Sequence, residues 1–505
     1  MQARGFQTVV VGAGTAGAVV ASRLSEDGGQ EVLLLEAGPD YGPTRAIPKD
    51  LADGARNSLF MHDWGLRHRP TKSHFKFRYP RGRVMGGSSA VNTCIALRGR
   101  PEDFEEWASF DLPEWRWEHC LPYFKKLEKD LDFDDDFHGK DGPLPIRRHT
   151  PDELVPWQAG FMEGCDKLGQ PKCPDHNHPS DYGYGPHAMN KIEGRRINAA
   201  EAYLPASVRA RPNLRVMGEA LVRRILFRGR KVVGLEFERF GKIETVSTDR
   251  VVLAAGAIAT PGLLLRSGVG PKRELERLGV EPVADNKGVA SRLFDHPGSA
   301  LMFIARPGIS KKEDPLIQTL LRFKASVGAP WDDMQVQPAS TMPLKFMAGY
   351  GLGILVPLCK PRSVGSIHWT SADPKAKPVI RSRFFDDPVD LDQMVEGLQM
   401  GLEVYQASSM RDMGSPFLPR RSSWTKEGLA EHARKVCDSG YHPCGTVPMG
   451  PESWAACDSH GRVRGVDGLV VADASLMPTI TSSNTNVTIF MMGERIADWI
   501  KAGEA

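Results

Sequence analysis

Apolar residues follow two different periods along this chain. Thr8–Val11 and Val32–Leu35 are short, unbroken runs of β-branched residues and leucine, the pattern of parallel strands buried on both faces. Between them, small residues from Thr15 onward follow helical spacing as far as Gly28, so the opening reads strand, tight turn, helix, strand. Val251–Ala257 is another buried strand, followed by a helix pattern through Leu263–Leu265 and a stop at Gly268-Val-Gly270-Pro271. Gly468–Asp473 is a fourth, ahead of a helix over Thr488–Lys501 that carries Ile489, Met492, Ile496 and Trp499 on one face and so reads as amphipathic. From about Ser299 to Val436 the pattern changes to short alternating runs (Ala300–Ala305, Ile354–Leu358, Ser366–Thr370), then to helical spacing from Asp390 to Tyr405. That change predicts an antiparallel sheet with helices, a separate layer able to roof a cofactor. Tyr41–Tyr79, rich in proline, histidine and arginine, shows little periodicity and reads as a long loop region.

Composition narrows the class. A chain of 505 residues exceeds one ordinary core, and 41% hydrophobic with 25% charged residues is globular composition. Its net charge of +3 comes from 65 basic and 62 acidic residues without a block of either sign, so neither nucleic acid nor an anionic membrane is an expected partner. No apolar run approaches the roughly 18 residues of a membrane span, and the first strand begins too early for a secretion signal, so a cytoplasmic protein is expected. The eight cysteines form no CxxC pair, as expected of reduced thiols. The acidic run Asp130–Asp136 lacks the EF-hand glycine, since Asp135 holds the sixth position, and reads as a solvated loop. Cys173-Pro-Asp-His176-Asn-His178 is half a metal site with no partner pair, so a polar loop and no metal are expected.

The first turn carries chemistry. In Gly12-Ala13-Gly14-Thr15-Ala16-Gly17, Gly12 makes the turn, Gly14 lets the backbone approach a pyrophosphate, and Gly17 lets the helix pack on the strand. Glu36, with Ala37 after it, lies 19 residues beyond Gly17, where an acid is wanted for a ribose hydroxyl. No second GxGxxG is complete, so a single dinucleotide is expected and a separate nicotinamide site is not. Arg81–Asn92 places Gly86, Gly87, Ser88 and Asn92 together, offering bare backbone and short donors to phosphate or a flat ring, with an ordinary turn as the competing reading. A strand that closes on Asp473-Ala474 before a helix sets a carboxylate and backbone N–H groups near a sugar-alcohol chain, the need of FAD. His442, in Tyr441-His-Pro-Cys-Gly-Thr446, stands in a sharp loop just ahead of that strand, and Asn484 and Asn486 lie past its other end. A loop histidine alone is more often structural; convergence with an amide on one cofactor face makes it chemical.

Taken together, VVVGAGTAGAVVASRL with LLLEAG, RGRVMGGSSAVN, AAEAYLPASVRARPNL, VVLAAGAIATPGLLLRSGVGP, LFDHPG, YHPCGTVPMG and GLVVADASLMPTITSSNTNVTIFMMGERIADWI resemble the glucose-methanol-choline oxidoreductase family in order and over nearly the whole length. The resemblance implies an α/β, Rossmann-like FAD-binding fold interleaved with an antiparallel-sheet substrate domain. FAD-binding parts are expected at 1–155, 191–298 and 437–505, and substrate-binding parts at 156–190 and 299–436. It implies that His442 is the catalytic histidine and Asn484 its partner, that Val222 meets adenine through its backbone, and that Gly86, Asn92, Asp473 and Asn486 run along the pyrophosphate and isoalloxazine. Thr93 and Cys94 are implied beside the flavin ring. Where some relatives tether FAD through a histidine this chain has Val91, so FAD is expected to be non-covalent.

The implied chemistry is oxidation of an alcohol, most simply a primary one, aromatic or heteroaromatic. His442 takes the hydroxyl proton, Asn484 donates to the oxygen, and the flavin accepts hydride. Dioxygen or another carrier then takes the electrons, a dehydrogenase or slow oxidase being expected. The alternative is a flavin-containing lyase of the same fold. An ordinary imidazole would make flavin reduction rise through about pH 6 to 8, and no other histidine is expected at the flavin ring.

Overall fold

The computed structural model describes residues 5–343 and 350–505, except 44, 181 and 332. Its centre is a five-stranded parallel sheet in the order Leu214–Met217, Val32–Leu35, Thr8–Val11, Arg250–Leu253, Leu469–Val471. Every residue of Thr8–Val11 and Val32–Leu35 is buried, as their unbroken apolar runs require. In chain order the strands are third, second, first, fourth, fifth. Connections therefore leave the Thr8–Val11 strand in opposite directions and open a crevice at its carboxyl end, where doubly wound sheets bind ligands.

The helix Thr15–Leu24 packs against the final helix Thr485–Ala502 through small residues: a Cβ on Gly493 would lie 3.1 Å from Val19 Cβ. The final helix is not amphipathic in place. It is buried on nearly every side, and its one buried acid, Glu494, is met by Arg23 (2.8 Å), Lys126 (3.1 Å) and the Tyr203 hydroxyl (2.7 Å). Periodicity reads the apolar stripe but not the neighbours that neutralise the polar face.

Over the crevice lies an antiparallel sheet in the order Gly414–Leu418, Pro297–Ala305, Tyr350–Pro357, Met334–Pro343, Thr319–Phe323, Gly183–Pro186, with Cys437–Ser439 also paired to Pro297–Ser299. Alternation sorts its two faces. Leu301, Phe303, Val336, Ile354 and Val356 join one core with Met394, Leu398 and Tyr405 of the helix Pro388–Ala407 and with Trp157 and Phe161 of Pro156–Lys167. Ala300, Met302, Gln335, Gln337 and Leu355 line a cavity on the other face. Pro297–Gly298 and Cys437–Ser439, expected with FAD-binding segments, thus pair within this roof.

Two expectations change here. Tyr41–Tyr79 is not all loop, because Arg67–Arg69 and Phe77–Arg78 form a four-stranded sheet with Ser366–His368 and Val379–Arg381. The Ser366 run consequently lies outside the roof, since long-range pairing leaves no mark on local periodicity. The acidic run is also only partly solvated, for Asp130 is buried in a closed ion network. His138 meets Glu128 (2.8 Å), Asp130 (3.1 Å) and Asp175 (3.0 Å), while Arg98 pairs with Glu128 and Arg148 with Asp130 and Asp175. Burial works against protonating His138, but its bonds to Asp130, Asp175 and Glu128 outweigh that and raise its imidazole to about 11. Three buried carboxylates therefore face three cations, which is how buried charge is tolerated. Cys173 and His176, read as a polar loop, are likewise buried, with Sγ 3.3 Å from Nδ1. Among the described residues no helix is long and apolar enough to cross a membrane.

Candidate active site

Three glycines of the first turn are required for different reasons. Gly12 has φ +95°, and a Cβ there would lie 2.5 Å from the Ala254 carbonyl oxygen; one on Gly17 would lie 1.8 Å from the Gly12 oxygen. These two are demanded by the protein itself. A Cβ on Gly14, by contrast, would meet only Gly87 Cα, at 3.8 Å, so no protein atom excludes a side chain there. Bare backbone at a helix N-terminus leaves room there for the close approach of a phosphate. Gly87, from the second glycine loop, sits directly on this turn, and the Gly86 N–H donates to the Ala13 carbonyl (2.8 Å). Ala16 is buried within the helix that follows.

Glu36 is buried at the end of the second strand, where its carboxylate accepts from Ala13 N (2.9 Å) and Gly38 N (2.8 Å). Burial raises its carboxyl to about 7 despite those bonds. Ala37 follows on the same turn, and the strand holding Val222 starts beside it, with Ala220 N–H donating to the Glu36 carbonyl (2.8 Å). Asn486 accepts from the Thr15 hydroxyl (2.8 Å), while its own buried Nδ2 has no partner among the described residues. An orphaned donor between two converging helix N-termini is a further sign that the residues fit FAD.

Asp473 departs from expectation. Its carboxylate turns into the protein, accepting from Gly256 N (2.7 Å), the Thr260 hydroxyl (2.6 Å) and Ser475 N (2.8 Å), so it ties two helix starts together rather than facing the cavity. The Ala474 carbonyl accepts from Gly445 N (3.0 Å) and thereby holds the histidine loop. Cys94 is likewise fully buried, its thiol raised by burial.

A cavity of about 620 Å³ joins the two layers. Thr15, Ser88, Val91, Asn92, Thr93, Asn484 and Asn486 line it from the nucleotide-binding segments, and Ala300, Met302, Gln335, Gln337 and Leu355 from the roof. His442 enters on a rigid loop. Tyr441 before it has φ +64° and its carbonyl accepts from Arg81 (2.5 Å), and the His442 N–H donates to Asp295 Oδ1 (2.9 Å). Asp295 itself is held by the hydroxyls of Tyr79 and Ser439. His442 Nε2 lies 3.2 Å from Asn484 Nδ2, and its Nδ1 lies 3.0 Å from Nδ1 of a second histidine, His296.

His296 corrects the expectation that no other histidine reaches this site. The LFDHPG segment was legible as a motif, but nothing local shows that its histidine returns to the cavity. Burial, then His296 and Arg81, push the His442 imidazole well below its usual 6.5, which favours the neutral ring.

The charged side chains on the wall are Arg81, Lys435 and Asp438, a small positive excess among the described residues. Asp438 is the one carboxylate on the wall among the described residues, and His68 holds it at 2.9 Å. Gln335 accepts from Gln337 Nε2 (2.6 Å) and leaves its own buried Nε2 without a partner among the described residues.

The chain matches profiles described as GMC oxidoreductase over residues 6–298 and 361–493. It belongs to the GMC oxidoreductase family. It is 34% identical to 5-(hydroxymethyl)furfural oxidase of Methylovorus sp. over 98% of both chains. Against the oxygen-dependent choline dehydrogenase of Rhizobium rhizogenes it is 32% identical, covering 97% of this chain and 95% of that one. The crystal structure of pyridoxine 4-oxidase from Mesorbium loti superposes with a TM-score of 0.91 at 28% identity, over 98% of this chain and 99% of that one. This GMC protein is an FAD-dependent oxidoreductase that acts on the CH–OH group of alcohols.

Proposed function

We propose that this GMC oxidoreductase converts a neutral primary alcohol, aromatic or heteroaromatic, to its aldehyde, with His442 as base and Asn484 as its partner. The observation that carries this reading is the pair of side chains on the cavity wall, His442 Nε2 and Asn484 Nδ2, 3.2 Å apart. A hydroxyl between them donates its proton to the imidazole and accepts from the amide, which stabilises the oxygen as charge develops on it. Bound FAD would supply the acceptor for the carbinol hydride; Gly12, Gly14, Thr15, Ala16, Gly17, Glu36, Ala37, Gly86, Ser88, Asn92, Thr93, Val222, Ala474 and Asn486 are the residues assigned to hold it, with Asp473 and Cys94 shaping the site from behind, their side chains being buried away from the cavity. Dioxygen or another carrier takes the electrons afterwards.

A cationic alcohol such as choline finds little here to neutralise it, since Asp438, the one carboxylate on the wall among the described residues, shares that wall with Arg81 and Lys435. The free Gln335 donor instead suits an acceptor atom on the substrate body, a ring oxygen or nitrogen. The test is anaerobic bleaching of the flavin over a panel of alcohols. Furanic or pyridine methanols should bleach it at least about tenfold more efficiently than choline, and Gln335→Leu should narrow that gap. Faster reduction by choline would overturn the substrate class, and an oxidised flavin during turnover of a cyanohydrin would indicate the lyase alternative.

Non-covalent attachment follows from Val91 on the cavity wall, a side chain with no nucleophile. Denaturing and filtering the protein should release all yellow colour as FAD; colour retained by the polypeptide would refute this.

A further inference from the structure

The hydrogen bonds around His442 determine where its proton sits. His296 Nε2 lies 2.9 Å from the Thr481 carbonyl oxygen, which can only accept, so that nitrogen carries a hydrogen. Burial keeps the His296 ring neutral, and its Nδ1 is therefore a bare acceptor. The 3.0 Å contact between the two Nδ1 atoms needs one hydrogen, and only His442 can supply it. His442 Nε2 is then left as a lone pair facing the cavity and Asn484. A carbonyl, through two rings, thus sets the tautomer of the residue at the reacting end.

We propose that His296 is a positioning residue that holds His442 in the Nδ1–H tautomer, so that Nε2 is the atom that receives the substrate proton. The proton moves from the alcohol oxygen to His442 Nε2, and the Nδ1–H bond to His296 strengthens as the His442 ring becomes cationic. His296 itself gains and loses nothing. Arg81 faces His442, Lys360 and Asp103 face His296, and Asp295 holds the backbone N–H groups of both histidines (2.9 Å each). This inference rests on His442 being the base.

Two measurements test it. In FAD-loaded protein labelled with ¹⁵N-histidine, with His442→Asn providing the assignment, His442 should show a protonated Nδ1 and a bare Nε2, and His296→Leu should give a mixture. An Nε2–H tautomer in the wild type would overturn the proposal whether or not His442 is the base. In anaerobic flavin reduction, His296→Leu should slow the rate about tenfold to a hundredfold with little change in alcohol affinity. His296→Gln offers one donor and one acceptor at similar spacing, and should recover the rate to within about fivefold of wild type. Leu within about threefold of wild type, or Gln no better than Leu, would refute the role. Because His296→Leu could misfold, its flavin spectrum and circular dichroism are compared with those of His296→Gln, and if Leu does not fold, a Gln rate depressed more than tenfold refutes it alone.

Discussion

His442→Ala should bind FAD normally and yet reduce it at least about a hundredfold more slowly than wild type. Loss of a general base costs roughly 10² to 10⁴ in rate, about 3 to 5 kcal/mol of barrier. The variant removes the imidazole nitrogen that faces Asn484 in the cavity, while the cavity remains otherwise lined as before. Asn484→Ala should cost less, because the amide orients and donates without taking the proton. The pH profile carries independent information. A base works when neutral, so its rate falls as pH falls through its own pKa; burial has moved that pKa well below 6.5. Flavin reduction by wild type should therefore be level from about pH 6.5 to 8 and decline only on the acid side. Stopped-flow reduction across pH checks both statements. A His442→Ala rate within about threefold of wild type, or a wild-type rate that climbs steadily from pH 6.5 to 8, would assign the proton to another group.

Gly14→Ala and Gly17→Ala should fail in different ways. On Gly17 the new methyl would lie 1.8 Å from the Gly12 oxygen, so the first helix must move off the first strand by more than an ångström. Overpacking of that severity in a rigid core costs upward of about 3 kcal/mol, and the variant should be poorly soluble or melt at markedly lower temperature. On Gly14 the methyl meets nothing nearer than 3.8 Å, so the protein should fold with near-normal stability while FAD affinity falls about a hundredfold, the phosphate being held off the backbone. Gly28→Ala, with nothing within 4 Å, is the neutral control. Thermal melts and FAD titration of the apoproteins separate the cases. Normal FAD affinity in Gly14→Ala would remove the pyrophosphate from this turn.

The central strands, the glycine turn and the helical and alternating segments were legible in the chain because each is encoded by neighbours a few residues apart. Periodicity of two or 3.6 and the steric needs of glycine are local properties. His442 and Asn484 were legible as candidates through their motifs, and so was the loop of Gly86 and Ser88. The route of the polar side chains was not. Whether Asp473 faces a cofactor or caps two helices depends on Gly256 and Thr260, more than two hundred residues earlier, which meet it only after the sheet has formed. The same holds for Asp130, whose neighbours in sequence are acidic and exposed but whose partners in space are Arg148 and His138. His296 reaches His442 across 146 positions, and the environment that depresses the imidazole exists only once the roof closes over the parallel sheet. The sequence by itself determined which groups are available and on which elements they sit, since those follow from covalent order and local sterics. Tertiary structure alone decided which of them are desolvated together, and desolvation together is what sets a proton's position and a base's strength.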